Sequence, residues 1–157
     1  MHASRFKLIA AVHLLLIQEH QVLLLRRHNT GYEDGKYSVI AGHLDGDEDV
    51  KSAAVREARE EAGIHIDPAD VEVVGVMHRR SLSPRAEDER VDFFVQVARW
   101  TGEIANAEPQ KCDELAWFPL DDLPREVIPY VRHALERHKE HDQHGAWFES
   151  YGWEQAV

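Results

Sequence analysis

The chain has 157 residues, 43% hydrophobic and 30% charged, with 18 Lys plus Arg against 29 Asp plus Glu for a formal net charge of −11. That length and balance fit one globular domain, residues 1–157, with a proper core, and the acidic excess argues against nucleic-acid or anionic-membrane partners. An anionic small ligand remains open, because bound divalent cations invert a local field.

At the N-terminus, "MHASRFKLIAAVHLLLI" has basic residues before an apolar run, as a signal peptide does. His13 interrupts the run, however, and "QVLLLRR" resumes it after the polar "QEHQ". Two apolar runs around a short polar turn read as a hairpin, with strands at Leu8–Ile17 and Val22–Arg26. The run is too short for a membrane span. Cys112 is the single cysteine and cannot form an internal disulfide, which points to a reducing cytoplasm.

"HNTGYEDGKY" is turn-rich and reads as an exposed loop. Ser38–Ala41 is a short apolar strand, and "GHLDGDE" is a tight turn into a helix near Asp49, with Asp45 and Asp47 as candidate caps. After Gly63, "DPAD" leads to a strand at Val71–His78, then to a long polar loop, "RRSLSPRAEDER". "VDFFVQVARW" is β-branched and aromatic, hence a strand, and "AWFPL" is a shorter one. "LPREVIPYVRHALERHKEH" reads as a C-terminal helix, and residues 141–157 as a tail that packs on the body or on a second subunit. Strands around one central and one terminal helix give a mixed α/β sandwich, not repeated βαβ units.

The stretch "REAREEAGI" poses a physical problem. Ala, Arg and Glu favour a helix and Gly63 offers a stop. At about 100° per residue, Glu57, Glu60 and Glu61 fall within an arc of roughly 100° beside a small-residue face of Val50, Ala54, Val55, Ala58 and Ala62. Three like charges repel there, and two stand in the last turn, where the helix dipole favours cations. A surface helix laced by Arg56–Glu60 pairing is one reading. A divalent cation is the other, since hard ions want several oxygens on one side of a rigid element.

The residues upstream decide between them. In "GHLDGDEDVKSAAVREAREEAGI", Gly42 is followed by Glu48, by Arg56-Glu57, by Glu60-Glu61, and by Gly63-Ile64. This resembles the complete Nudix box, residues 42–64, of the Nudix hydrolases. The resemblance implies a Nudix-type α/β/α sandwich with a mixed sheet, a catalytic loop–helix–loop and a C-terminal helix. It implies that Glu57, Glu60 and Glu61 bind Mg²⁺ or Mn²⁺, with the Gly42 carbonyl as a further ligand. Arg56 would orient the carboxylates, and Glu48 would brace Arg56. Ala58 is smaller than the family's usual residue, and Ala41 stands where many relatives have Gly, but every catalytic carboxylate is present.

By further likeness to nucleoside-triphosphate diphosphatases, Arg27 would contact substrate phosphate, and Glu108 in "NAEPQKCDELAWF" would supply a metal ligand or base. The implied reaction is cleavage of a nucleoside triphosphate to the monophosphate and pyrophosphate. Its competitors are hydrolysis of an ADP-sugar or dinucleoside polyphosphate, and a non-catalytic nucleotide sensor. Family habit and the aromatic tail point to a homodimer. Cys112 reads as packing, Tyr32, Tyr37, Trp117 and Phe118 as core with stacking on a nucleobase as the alternative, and Arg79, Arg80, Arg85 and Arg90 as solvated with phosphate contact as the alternative. His133, His138, His141 and His144 read as a solvated helix end, their spacing giving no ligand face.

Overall fold

In the computed structural model, which describes residues 4–80, 89–141 and 144–153, strand β1 (Ile9–Gln18) feeds two cores at once. Val12, Leu14 and Leu16 enter one apolar cluster with Ala53, Ala54, Ala58 and Ala62 of helix α1 (Val50–Ala62). Leu15 enters another with Val131, Ala134 and Leu135 of helix α2 (Pro129–His141). Successive strand side chains point to opposite faces, so this one strand separates two helical layers. The arrangement is the α/β/α sandwich expected.

The remaining strands are β2 (Gln21–Arg27), β3 (Tyr37–Ser38), β4 (Ile40–His43), β5 (Val71–Arg80), β6 (Glu89–Val97), β7 (Cys112–Pro119) and β8 (Trp147–Tyr151). Their order is β3-β2-β1-β6-β5-β8, with β4 on β1 and β7 on β2. The β1–β6 and β5–β8 pairs are parallel, and the other strand pairs are antiparallel, so the sheet is mixed. The β1–β2 turn has two residues, Glu19 at φ 52° and His20 at φ 62°, between the paired Gln18 and Gln21. Two successive left-handed residues make the turn that matches strand twist.

Several elements differ from the sequence expectation. Asp49, not Asp45 or Asp47, caps α1, its side chain accepting from the Ser52 N–H at 2.7 Å. Ser38–Ala41 is divided between β3 and β4. The "AWFPL" strand begins earlier, at Cys112, and the strand expected at residues 91–100 runs from Glu89 to Val97. Helix α2 starts at Pro129, because Tyr37 captures the preceding segment by a parallel bridge to Val127. Proline suits a first helical position, where its missing N–H would have no partner.

The polar "RRSLSPRAEDER" stretch is partly strand, with Arg79 and Arg80 in β5 and Glu89 and Arg90 in β6. Arg85 lies outside the described residues. Arg79 is buried, not solvated. Its Nε donates to Asp92 Oδ2 at 2.7 Å, and its guanidinium lies 3.7 Å from the Tyr130 ring centre. His138 is buried too, on the stripe formed by Tyr130, Val131, Ala134 and Leu135. His133 pairs with Glu149 at 2.9 Å. The tail packs on the body as β8, where the Trp147 indole fills the space a side chain at Gly75 would need. Among the described residues no helix is long and apolar enough to cross a membrane.

Candidate active site

The site begins with the ends of α1. At its C-terminus Gly63 adopts φ 69°, donating its N–H to the Arg59 carbonyl, while the Ile64 N–H reaches Ala58. This left-handed exit satisfies two carbonyls that the helix leaves open. Two more are capped from a distant loop: the Ala105 N–H donates to the Ala62 carbonyl at 3.0 Å, and Ala107 to Glu61 at 3.2 Å. Those bonds bring Glu108 against the carboxylates of α1.

Arg56 is the hub. Its Nη2 and Nε reach both oxygens of Glu48, at 2.7 and 3.1 Å, a planar fork on a planar acceptor. Nη2 also donates to the His43 carbonyl at 3.0 Å, and Nη1 to Glu57 Oε1 at 2.8 Å and Glu60 Oε2 at 3.3 Å. Glu48 Oε1 in turn accepts from the Asp45 N–H. One cation thus ties the entering loop to two carboxylates of the helix. The Arg56 hydrogen bonds hold the Glu48 carboxyl below its ordinary range.

The three helix carboxylates occupy unlike environments. Glu60 is exposed. Glu57 is only 7% exposed, and its carboxylate lies so close to Gly42 that a Cβ built there would stand 1.9 Å from Oε1. Burial pushes the Glu57 pKa from 4.5 to about 7, against the opposing pull of Arg56. Glu61 Oε2 accepts from the Ala41 N–H at 3.0 Å, yet burial, with the Glu57 charge beside it, raises its pKa well above the usual range. Taking a carboxylate out of water without a full partner favours its protonated form.

These groups share a cavity of about 500 Å³ with Gly42, His43, Arg27, Asn29, Thr30, Glu108, Lys111 and Cys112. The cavity thus brings together the sequence candidates Glu57, Glu60, Glu61, Gly42, Arg27 and Glu108. Arg56 and Glu48 stand behind Glu57 and outside the lining. Arg27 is held by the "HNTGY" loop, its Nε donating to the Tyr32 carbonyl at 2.7 Å and Nη2 to Thr30 Oγ1 at 3.0 Å. Asn29, Thr30, His43 and Lys111 were not singled out by sequence, since loop residues that meet across a cleft follow no spacing rule. Of the aromatics, Tyr37 is core, its hydroxyl donating to Glu114, whereas Tyr32 is exposed beside Arg27. Cys112 is buried.

Among the described residues no group of three or more His, Cys, Asp or Glu side chains stands arranged to hold a metal ion. Glu57 is turned to Arg56, and Glu61 to the Ala41 N–H. The donor chemistry nevertheless fits a hard divalent cation, since Glu57, Glu60, Glu61 and Glu108 all line the cavity. Desolvation raises the pKa of two of those carboxylates, Glu57 and Glu61, which a bound cation would counter.

Comparison with known proteins follows the same lines. A NAD-capped RNA hydrolase NudC of Pseudomonas aeruginosa is 30% identical over 125 residues, covering 80% of this chain, which spans only 40% of that relative's length. An ADP-ribose pyrophosphatase of Methanocaldococcus jannaschii is 28% identical over 115 residues, covering 73% of this chain and 64% of its own. The crystal structure of a MutT NUDIX hydrolase from Burkholderia pseudomallei superposes with a TM-score of 0.73 at 26% identity, over 83% of this chain and 97% of that one. The NUDIX domain family model matches residues 7–144, nearly the whole of the fold just described, and the chain belongs to the Nudix hydrolase family.

Proposed function

We propose that the chain is a divalent-metal-dependent pyrophosphohydrolase that cleaves a nucleoside triphosphate to the monophosphate and pyrophosphate. The observation that carries this reading is the cavity in which Glu57, Glu60, Glu61 and Glu108 are gathered with Arg27. Four carboxylates repel a polyphosphate unless a cation joins them. Glu57, Glu60, Glu61, Glu108 and the Gly42 carbonyl would hold Mg²⁺ or Mn²⁺. Bound there, the ion would neutralise phosphate charge and acidify water.

The chain's own residues supply the rest. Arg56 Nη1 occupies Glu57 Oε1, which leaves Oε2 to take the proton of the water that attacks phosphorus. The Glu57 carboxyl, drawn down by a bound cation from the value that burial gives it without metal, would be ionised and able to accept that proton. Glu48 keeps Arg56 in place while that charge changes. Arg27, fixed by Thr30 and Tyr32, presents a positioned cation to the phosphates as the pyrophosphate leaves.

A second reading, hydrolysis of ADP-ribose or a dinucleotide, is favoured by the names of the curated relatives. The net charge of −11 works against an RNA body as substrate. The test is a panel of dGTP, ADP-ribose, NAD and a diadenosine polyphosphate with Mg²⁺ and with Mn²⁺, scored by products. Pyrophosphate from dGTP supports the first reading, and turnover of ADP-ribose alone refutes it. A sensor without catalysis would turn over none of the four. A homodimer, expected from the family, is checked by light scattering.

A further inference from the structure

Lys111 is placed with more care than a surface lysine requires. The turn that carries it is tied at both ends: its N–H donates to the Glu108 carbonyl at 2.9 Å, and its carbonyl accepts from the His28 N–H at 2.9 Å. Asn106 staples the same turn, donating from Nδ2 to the Cys112 carbonyl at 2.6 Å and accepting the Glu108 N–H at its Oδ1. With Ala105 and Ala107 bonded to the end of α1, the Lys111 backbone is fixed between the carboxylate helix and the end of β2.

Its side chain is different. It lines the cavity, is 62% exposed, and its Nζ stands 4.0 Å from Glu108 Oε2, the outer limit of an ion pair. An exposed pair of that kind contributes little. Arg27, the other Lys or Arg lining the cavity among the described residues, is anchored by Tyr32 and Thr30 and keeps further N–H donors for phosphate. A planar, anchored guanidinium recognises one fixed position, whereas an ammonium on a four-carbon stem follows a point charge.

From this pairing of a fixed base and a weakly held, solvent-facing head, we infer that Lys111 is a phosphate-binding residue that holds the outer phosphate of a substrate with three or more phosphates. The inference rests on the pyrophosphohydrolase reading above and narrows its substrate class. Arg27 meets the phosphates that any diphosphate ester presents. Lys111 meets the additional dianionic group that a triphosphate has and ADP-ribose lacks.

The experiment compares wild type, Lys111→Met and Lys111→Arg with dGTP and with ADP-ribose under one Mg²⁺ concentration. It adds calorimetric titration of wild type and Lys111→Met with inorganic tripolyphosphate. Loss of a charged hydrogen bond predicts that Lys111→Met raises KM for dGTP about tenfold and weakens tripolyphosphate binding about tenfold. kcat should stay within about twofold, Lys111→Arg should restore most of the KM, and ADP-ribose parameters should not move. Unchanged dGTP KM and tripolyphosphate affinity would overturn the inference, as would an equal rise in KM for both substrates. Wild type that binds tripolyphosphate through Lys111 but hydrolyses no triphosphate would overturn the proposed reaction and leave the binding role standing. Triphosphate turnover indifferent to Lys111→Met would do the reverse.

Discussion

Glu57→Gln in protein stripped of divalent metal should make the fold more stable at neutral and alkaline pH. The wild-type carboxyl titrates at about 7 in the folded protein against an ordinary value of 4.5. Between those values the folded state holds a proton that the unfolded chain has released, so stability falls as pH rises through the window. The full difference corresponds to about 3 kcal/mol above pH 7 and vanishes below about pH 4.5, where both forms are neutral. Gln matches the protonated Glu in shape and carries no titratable group. Arg56 keeps its fork on Glu48 in the variant, and Glu61 is relieved of a neighbouring charge.

The assay is thermal or urea unfolding of both proteins with a chelator, from pH 4 to pH 8.5. The variant should match wild type at pH 4 and melt roughly 6–12 °C higher at pH 8.5. The difference between the two curves matters more than either curve. His13, buried with a pKa lowered to about 4, is neutral in the folded protein and destabilises it as pH falls from 6.5. That slope is opposite in sign and cancels in the difference. Saturating Mg²⁺ should reverse the order, stabilising wild type more than the variant. A difference that stays flat with pH, or wild type the more stable at pH 8.5 without metal, would refute the reasoning.

Three other outcomes are expected. Gly42→Ala should cost about 10²-fold or more in kcat on whichever substrate of the panel wild type turns over, because its Cβ collides with Glu57 Oε1 and displaces the carboxylate; near-wild-type kcat would show that Glu57 is free to move. Asp92→Asn should destabilise by about 3–5 kcal/mol in urea, since it leaves the Arg79 cation buried without its carboxylate; the pair Asp92→Leu with Arg79→Met should recover most of that loss. Gly75→Ala places a Cβ 2.1 Å from the Trp147 indole and should cost about 1–3 kcal/mol. Faster amide exchange confined to β8 would report it, and unchanged exchange there would count against the packing described.

Which candidate residues gather around the cavity is more legible in the sequence than the packing around them. Residues 42–64 are local: one turn, one helix and one glycine exit, with spacing that carries the geometry. Arg79 was misread because it opens a polar stretch in sequence, while its partners Asp92 and Tyr130 come from β6 and α2. His138 was misread for a related reason, since the charged "RHALERHKEH" hides a stripe that becomes apolar only once β8 and β5 exist for it to cover. The start of α2 depended on Val127 pairing with Tyr37, ninety residues away in order of magnitude. Lys111 has no helix or strand period at all; its position follows from the loop that caps α1.

The parallel β5–β8 pair gives the protein a particular history during synthesis. Trp147 must return to Gly75, about seventy residues earlier in the chain, before the sheet has its last strand. A ribosome adding roughly 5–20 residues per second leaves β5 with an unpaired edge and an empty slot above Gly75 for several seconds. An open edge of this kind is a template for pairing with other chains. A ribosome stalled between Glu108 and Trp147 would therefore leave a chain that carries Glu57, Glu60, Glu61 and Glu108 but lacks the strand that closes the β5 edge.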